Sequence, residues 1–576
     1  MLSRIWTGIK DNAFAAGITF VLLWVVGIPL VAVIVFSFRE GSPVAPGAFT
    51  LANYRQVYAS PQTFSALTNS LIYASVVSVV GLFLATVFAW LLERTDMPGR
   101  NWAWVMMLLP LAMPGMLASM AWILLLANEI GLFNIALRKV LGLFGVALDS
   151  GPINIYSMTG MVFVESIRGS TTLFLMMVAA FRLLDPSLEE AASMSGASTG
   201  YTLRRITAGL MVPALLAAAM FAFIGNLDDL ETPLLIGLPA GIFFLPTIIY
   251  FTASQGGAWG LSAAYTTVFL LITIAMVVIY FRVVLRKTGQ FASITGKAYR
   301  PRRMSLGRWR WPAFGIFVAY FLFTVAAPVF VLLWASLLPT YEVPSWEALS
   351  RMTLDNYAQI PTAPRIARSL LNTVVLAAGT ATATMLLAFL VGWLVVRQRV
   401  RGGIGLDAMA FVPHAIPTVA VAVALIAFYL HPWVRWIPIY GTLTLMVLAL
   451  MTRYIAFASR TANAAMTQIG KELEEVAYIS GIGKVRTLFS ITMRLLLPAF
   501  IAGWVWVAAN AGKNLSVPLM LATPQNETIA TTLFFYWTRK ADFSLASALG
   551  IVILGALSIL TVLARRIITS GYSGDG

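Results

Sequence analysis

Cysteine is absent from this 576-residue chain, and histidine occurs only at His414 and His431. The first absence excludes disulfides and thiolate metal sites. Neither histidine has acids at ligand spacing, so no metal is expected to bind through them. Charge is also scarce: 11% of residues are charged and only 23 are acidic. No nucleophile–base constellation points to an enzyme. A phosphate loop is missing too. ITGKAY (Ile294–Tyr299) lacks both the earlier glycine and the hydroxyl after Lys297, and SGIGKVRT (Ser480–Thr487) fails in the same way. The chain has no ATP site of its own.

What is present is apolar. Hydrophobic residues make up 59% of the sequence, more than a soluble protein of this length can hide. A membrane span needs roughly 20 apolar residues, with every backbone group paired inside the helix. Windows that qualify begin near Gly17, Thr68, Trp102, Tyr156, Ala208 and Leu261, and again near Trp311, Leu370, Leu406, Ile439, Leu495 and Leu545. The expectation is an all-α, polytopic protein with about twelve spans. The first apolar stretch is too long for a signal peptide and lacks a small-residue cleavage site, so it reads as a retained helix. The net charge of +16 could suggest nucleic acid, but Lys and Arg concentrate in alternate connecting segments. That is the positive-inside pattern; it implies no nucleic-acid partner and puts both termini in the cytoplasm of a plasma-membrane protein.

The chain repeats itself. TLANY (Thr50–Tyr54) recurs as TLDNY (Thr353–Tyr357), Asn69-Ser70 as Asn372-Thr373, Trp90 and Arg94 as Trp393 and Arg397, and Pro110 and Pro114 as Pro413 and Pro417. All of these lie 303 positions apart; from Glu190 and Glu475 onward the separation is 285. The first copy therefore has an insertion in the external stretch from Asn128 to Ile155. Six spans per copy give two parallel repeats, 1–285 and 311–576. Arg286–Arg310 joins them, with eight Lys/Arg and no acid, as a basic cytoplasmic linker near the anionic leaflet.

The few acids are not scattered at random. LEEAASMSGAS (Leu188–Ser198) and LEEVAYISGIG (Leu473–Gly483) stand at matching points of the two copies. Asp185 can cap a helix, Pro186 suits its first turn, and early glutamates favour its positive end. Ala191 and Ala192 offer a face of little bulk, and Gly196 can turn the chain without steric cost. The reading is a short helix–turn–helix on the cytoplasmic side, presented twice.

These two stretches resemble the EAA loop of binding-protein-dependent ABC importer permeases. The fused six-plus-six layout, the linker, FSLASALGIVIL and WGLSAAYTTVFLL further resemble the iron(III)-transport permeases. The resemblance implies that loops 182–208 and 467–493 couple to an ATPase through Glu189, Glu190, Ala191, Ala192 and Gly196, and through Glu474, Glu475, Val476, Ala477 and Gly481. Val476 departs from the pattern, standing where the first copy has Ala191. Two copies of a separate ATPase carrying ATP and Mg, and an external substrate-binding protein, are the implied partners besides the bilayer. Ferric iron is the implied cargo; similar permeases handle polyamines, thiamine and aminoalkylphosphonates.

Arg168 stands about 12 residues into its span, roughly 18 Å along the axis. The repeat puts Arg453 at the matching place. Glu165 lies within reach of Arg168 along the helix. An ion pair that only orients the helix and a place on the translocation path are both open. Arg453 has Leu450 at that offset, so snorkelling at a span end competes with a pathway role. Asp228, Asp229 and Glu231 read first as a solvated external rim, with a cation path or a binding-protein contact as the other readings. A rival class is a secondary transporter: ERTDMPGR (Glu93–Arg100) resembles the Asp-x-x-Gly-Arg loop of major facilitators, but its match in the second copy, VRQRVRGG, has no acid.

Overall fold

Helices carry nearly all the regular structure, as a chain that must pair its backbone without water requires. The computed structural model describes residues 13–184, 187–254, 256–288 and 304–572. The expected cap at Asp185-Pro186 and most of the linker lie outside the described residues. Among the described residues, nine helices are long and apolar enough to cross a membrane, or eleven if two bent pairs each count as one. In chain order the spans are Ala13–Ser37, Pro61–Arg94, the bent pair Arg100–Ala112 and Gly115–Leu126, Met158–Leu183, Gly200–Leu227 and Trp259–Ile279. The second set is Gly307–Ser336, Pro364–Arg397, an interrupted ninth, Leu443–Gln468, the bent pair Lys484–Leu495 and Leu497–Gly512, and Phe543–Leu560.

The interrupted ninth accounts for the difference from twelve. It consists of Gly403–Phe411, a short turn of 3-10 helix and Thr418–Tyr429, each too short to cross alone. Proline is the cause here and in the third span. Proline lacks the N–H that would continue the helix, and it forces the preceding residue out of helical geometry. Met113 before Pro114 and Ile416 before Pro417 are both extended, with ψ of 119° and 124°. The third span bends by 99° at its break. Each break exposes a fresh helix N-terminus, Gly115–Leu126 and Thr418–Tyr429, in the middle of the bundle.

The leading helix of each half packs into the other half. In the first span, Leu22, Val25 and Val26 are buried with Met451, Ile455 and Ala458, and the Thr452 hydroxyl donates to the Val25 carbonyl at 2.9 Å. The seventh span reciprocates: Phe317 meets Phe88 with ring centroids 4.9 Å apart, and the Tyr320 hydroxyl donates to the Ile167 carbonyl at 2.9 Å. In lipid such association rests on close packing and hydrogen bonds, because the tails are as apolar as the side chains.

The short sequence repeats tie this arrangement together. Asn53 donates to the carbonyls of Ser37 and Arg39, and Asn356 to those of Ser336 and Leu338. Tyr54 shares a hydrogen bond of 2.7 Å with Ser37, as Tyr357 does with Ser336. Ser70 accepts the Leu245 N–H and Thr373 the Ile529 N–H, each starting a short helix before the last span of its half. TLANY and TLDNY tie down the chain leaving the first and seventh spans, and Asn69-Ser70 and Asn372-Thr373 hold the turn before the sixth and twelfth.

Candidate functional site: the EAA loops and an intramembrane charge belt

Each EAA loop begins with a short helix, Ser187–Met194 and Glu472–Ile479. Each helix closes with a bond five residues back, Ala197 N–H to the Ala192 carbonyl and Ile482 N–H to the Ala477 carbonyl, which requires a left-handed residue between. Gly196 and Gly481 supply it, with φ of +80° and +81°. No atom lies within 4 Å of where their Cβ would stand, so backbone conformation and not space selects glycine.

The first glutamate of each loop turns inward. Glu189 takes the Arg94 guanidinium at 3.2 Å and the Thr207 hydroxyl at 2.7 Å. Glu474 faces Arg397 at 3.7 Å and takes the Thr492 hydroxyl at 2.7 Å. The two arginines, at the ends of the second and eighth spans, are nearly inaccessible. Arg94 also donates to the Phe181 and Leu184 carbonyls, and Arg397 to that of Ile469, where the fourth and tenth spans run out of partners. A cation there also meets the negative helix end favourably. Ala477 is buried with Glu474, whereas Glu475 and Val476 are exposed. Leu473, Val476 and Ile479 leave an apolar stripe open, with Ile479 87% exposed. In the first loop Ala191 and Gly196 are exposed, Ala192 is half-buried, and the side chain of Glu190 lies outside the described residues. Met194, at 85% exposure, is the open apolar residue there.

The charges deep in the bundle form a belt between the halves. Arg168 makes a two-pronged contact with Glu165, Nε to Oε2 at 2.9 Å and Nη2 to Oε1 at 2.5 Å. Arg453 pairs with Asp228 of the first half at 3.2 Å. Arg453 therefore does not mark a span end: Leu443–Gln468 continues for several turns beyond it. Nor do the three acids form a solvated rim. Asp228 accepts both the N–H and the hydroxyl of Thr418, at 2.6 and 2.5 Å, at the helix start after the break in the ninth span. The Glu231 carboxylate lies against Gly115, the first residue of the corresponding helix start in the third span. Anions suit both places, where free N–H groups and the positive helix end coincide. Asp229 accepts the Tyr73 hydroxyl at 2.7 Å. Lys513, which the repeat aligns with Asp228, reaches the Leu111 carbonyl at the other break, 3.3 Å away. Gly115 is tight against this belt: a Cβ there would meet the Glu231 carboxylate at 2.5 Å and Arg168 at 3.3 Å.

Sequence reasoning missed the roles of Arg94, Arg397, Thr207, Thr492 and Thr418. The signal for the first two was available, because Arg94 and Arg397 recur at the 303 spacing. ERTDMPGR also has a local task. Asp96 accepts the Leu306 N–H at 2.8 Å and the Ser305 hydroxyl at 3.2 Å, tying the second span to the chain entering the seventh. The Leu306 amide holds its carboxyl below the usual carboxylate range.

A bundle of bent and interlocked apolar helices, with two matching short-helix loops between its spans, is that of a multi-pass membrane protein. Residues 384–573 match the family of binding-protein-dependent transport system inner membrane components. A ferric transport system permease of Actinobacillus pleuropneumoniae is 23% identical over 536 residues, 91% of this chain and 74% of its own. The Fe(3+)-transport system permease of Haemophilus influenzae is 21% identical over 92% of this chain and 93% of its own. An ABC transporter permease of Sinorhizobium fredii, y4oQ, is 30% identical over 38% of this chain and 70% of its own. The chain belongs to the binding-protein-dependent transport system inner membrane component family, as a multi-pass ABC importer permease. That membership decides against the secondary-transporter reading.

Proposed function

We propose that this permease carries ferric iron, delivered by an external binding protein, into the cytoplasm. The observation that carries the cargo assignment is the likeness, over more than nine-tenths of this chain, to two permeases named for ferric iron. Residues 1–285 and 311–576 act as the two permease halves and 286–310 as their cytoplasmic linker, with both termini on the cytoplasmic side. Two copies of a separate ATPase, carrying ATP and Mg, dock on the EAA loops. Glu190 and Glu475 face basic groups on those subunits, and Leu473, Val476 and Ile479 fill an apolar cleft. Closure of the ATPase dimer draws the loops together and turns the pathway outward, where the binding protein releases its load. Arg168, Glu165 and Arg453 lie along that pathway.

The test is reconstitution of the chain with its ATPase and binding protein in liposomes containing internal ATP. Radio-iron supplied as Fe(III) on the binding protein is expected to accumulate inside. ATP-driven uptake of spermidine, thiamine or an aminoalkylphosphonate, with none of iron, would overturn the cargo assignment. Robust ATP hydrolysis by the isolated chain would overturn the division of labour between subunits.

A further inference from the structure

We propose that Glu189 and Glu474 are positioning residues that lock each EAA helix to its own half, transmitting its displacement to the spans, and are not contacts for the ATPase. The inference rests on the docking of an ATPase at these loops. The repeated motif offers two adjacent glutamates, and the fold gives the first of each pair a task inside the chain.

The lock gathers four helix ends. Arg94 ends the second span, takes two carbonyls at the end of the fourth, and holds Glu189 of the EAA helix. Through Thr207 the same carboxylate reaches the segment entering the fifth span. Arg397, Ile469, Glu474 and Thr492 repeat the arrangement around the eighth, tenth and eleventh spans. The arginines are 3% and 1% exposed and the glutamates 24% and 9%, so the pairs are shielded from salt and solvent. The same four roles recur in both copies, filled by residues far apart in sequence.

The physical argument concerns stiffness. The EAA helices are eight residues long and connect to the bundle through turns at glycines of positive φ. Pushed by a partner, such a helix would rotate on its turns and leave the spans in place. A charge pair at its base, with a buried arginine anchored on the spans, makes the helix and those spans move as one body. Chemical work on the ATPase then appears as displacement of the second, fourth and fifth spans, and of their counterparts.

The test uses the complete complex in liposomes and reads solute moved per ATP hydrolysed. E189Q/E474Q keeps the shape of both side chains and removes their charge. The expected result is unchanged co-purification of the ATPase, continued ATP hydrolysis, and a fall in transport per ATP of about tenfold, an ordinary magnitude for coupling between sites. A lock that served only folding would lower accumulation and leave transport per ATP as it was; that outcome overturns the proposal. Loss of the ATPase from the mutant complex, in step with transport, would also overturn it by making these glutamates docking groups. Should the double variant fail to accumulate, T207V/T492V frees only the fifth and eleventh spans and is expected to lower transport per ATP in part. An unchanged ratio there sinks the lock. Absence of ATPase from the parent complex would instead overturn the proposed function on which the lock depends.

Discussion

Asp228 and Arg453 come from opposite halves and meet at 3.2 Å, and the same carboxylate holds the helix start at Thr418. One side chain of the first half thus fixes two elements of the second. The Asp228 side chain is 8% exposed and that of Arg453 21%. Removing one member of a buried pair is strongly destabilising, on the order of 3 kcal/mol, because it strands the other charge. Arg453→Met is expected to lower the unfolding temperature, and adding Asp228→Asn should restore part of the loss. Transport should remain impaired in the double variant if the pair lies on the pathway. Thermal unfolding and uptake by the same variants check this; normal uptake by the double variant would leave the pair a purely structural role.

Arg168 differs in having its partner on its own helix. Arg168→Met leaves Glu165 buried without its cation and removes the guanidinium that stands beside Glu231 at Gly115. The expected outcome is impaired transport with ATPase association near normal, and Arg168→Met/Glu165→Gln should recover accumulation better than uptake. Uptake equal to the parent in Arg168→Met would remove this arginine from the pathway.

At the EAA loops, glycine and the second glutamate act on different quantities. Gly196→Val and Gly481→Val force a β-branched residue into positive φ, at a cost of about 1–2 kcal/mol each. Glu190→Lys/Glu475→Lys reverses charge where a basic partner is proposed, which can cost several kcal/mol at an interface. Membrane insertion should survive in both cases, since neither site lies in a span, while the co-purified ATPase should fall. Full retention of ATPase and transport in the glutamate double variant would refute its docking role.

Asp96 supplies a pH-dependent tie. Its carboxyl is held below the usual range by the Leu306 amide, so the bond is stabilising above the unfolded carboxylate pKa of about 4 and is lost as pH falls below it. Hydrogen exchange at the Leu306 amide should therefore accelerate on acidification beyond the intrinsic trend. Asp96→Asn should weaken protection at neutral pH and abolish that extra acid step. An identical pH profile in the variant would show that Asp96 contributes nothing to the tie.

Much of this fold could be read from the residues, because membrane helices advertise themselves in composition and the two copies calibrate one another. The 303-residue spacing pointed to Asn53, Tyr54, Asn69 and Ser70, whose bonds recur at Asn356, Tyr357, Asn372 and Thr373. The apolar window near Leu406 was visible, but its division at Pro413 and Pro417 was not anticipated. The acids were harder still. Asp228, Asp229 and Glu231, with Lys513 and no acid at the matching stretch, look like broken symmetry on a rim. Asp228 has its partners, Thr418 and Arg453, in the other half, and no local spacing rule can join residues so distant in sequence. Arg94 and Arg397 were legible as repeats and opaque as to purpose, because their carbonyl partners carry no side-chain signature.

The exchanged leading helices set an order of events during synthesis. Val25 awaits Thr452, a partner 427 residues later in the chain. At translation rates of about 5–20 residues per second, the first span spends tens of seconds in the bilayer before that partner emerges. Until then the hydrogen bond from Thr452 to the Val25 carbonyl is unmade. A half made alone would lack one wall of its core. Fusing the halves in one polypeptide guarantees that each helix meets its complement in a ratio of one to one.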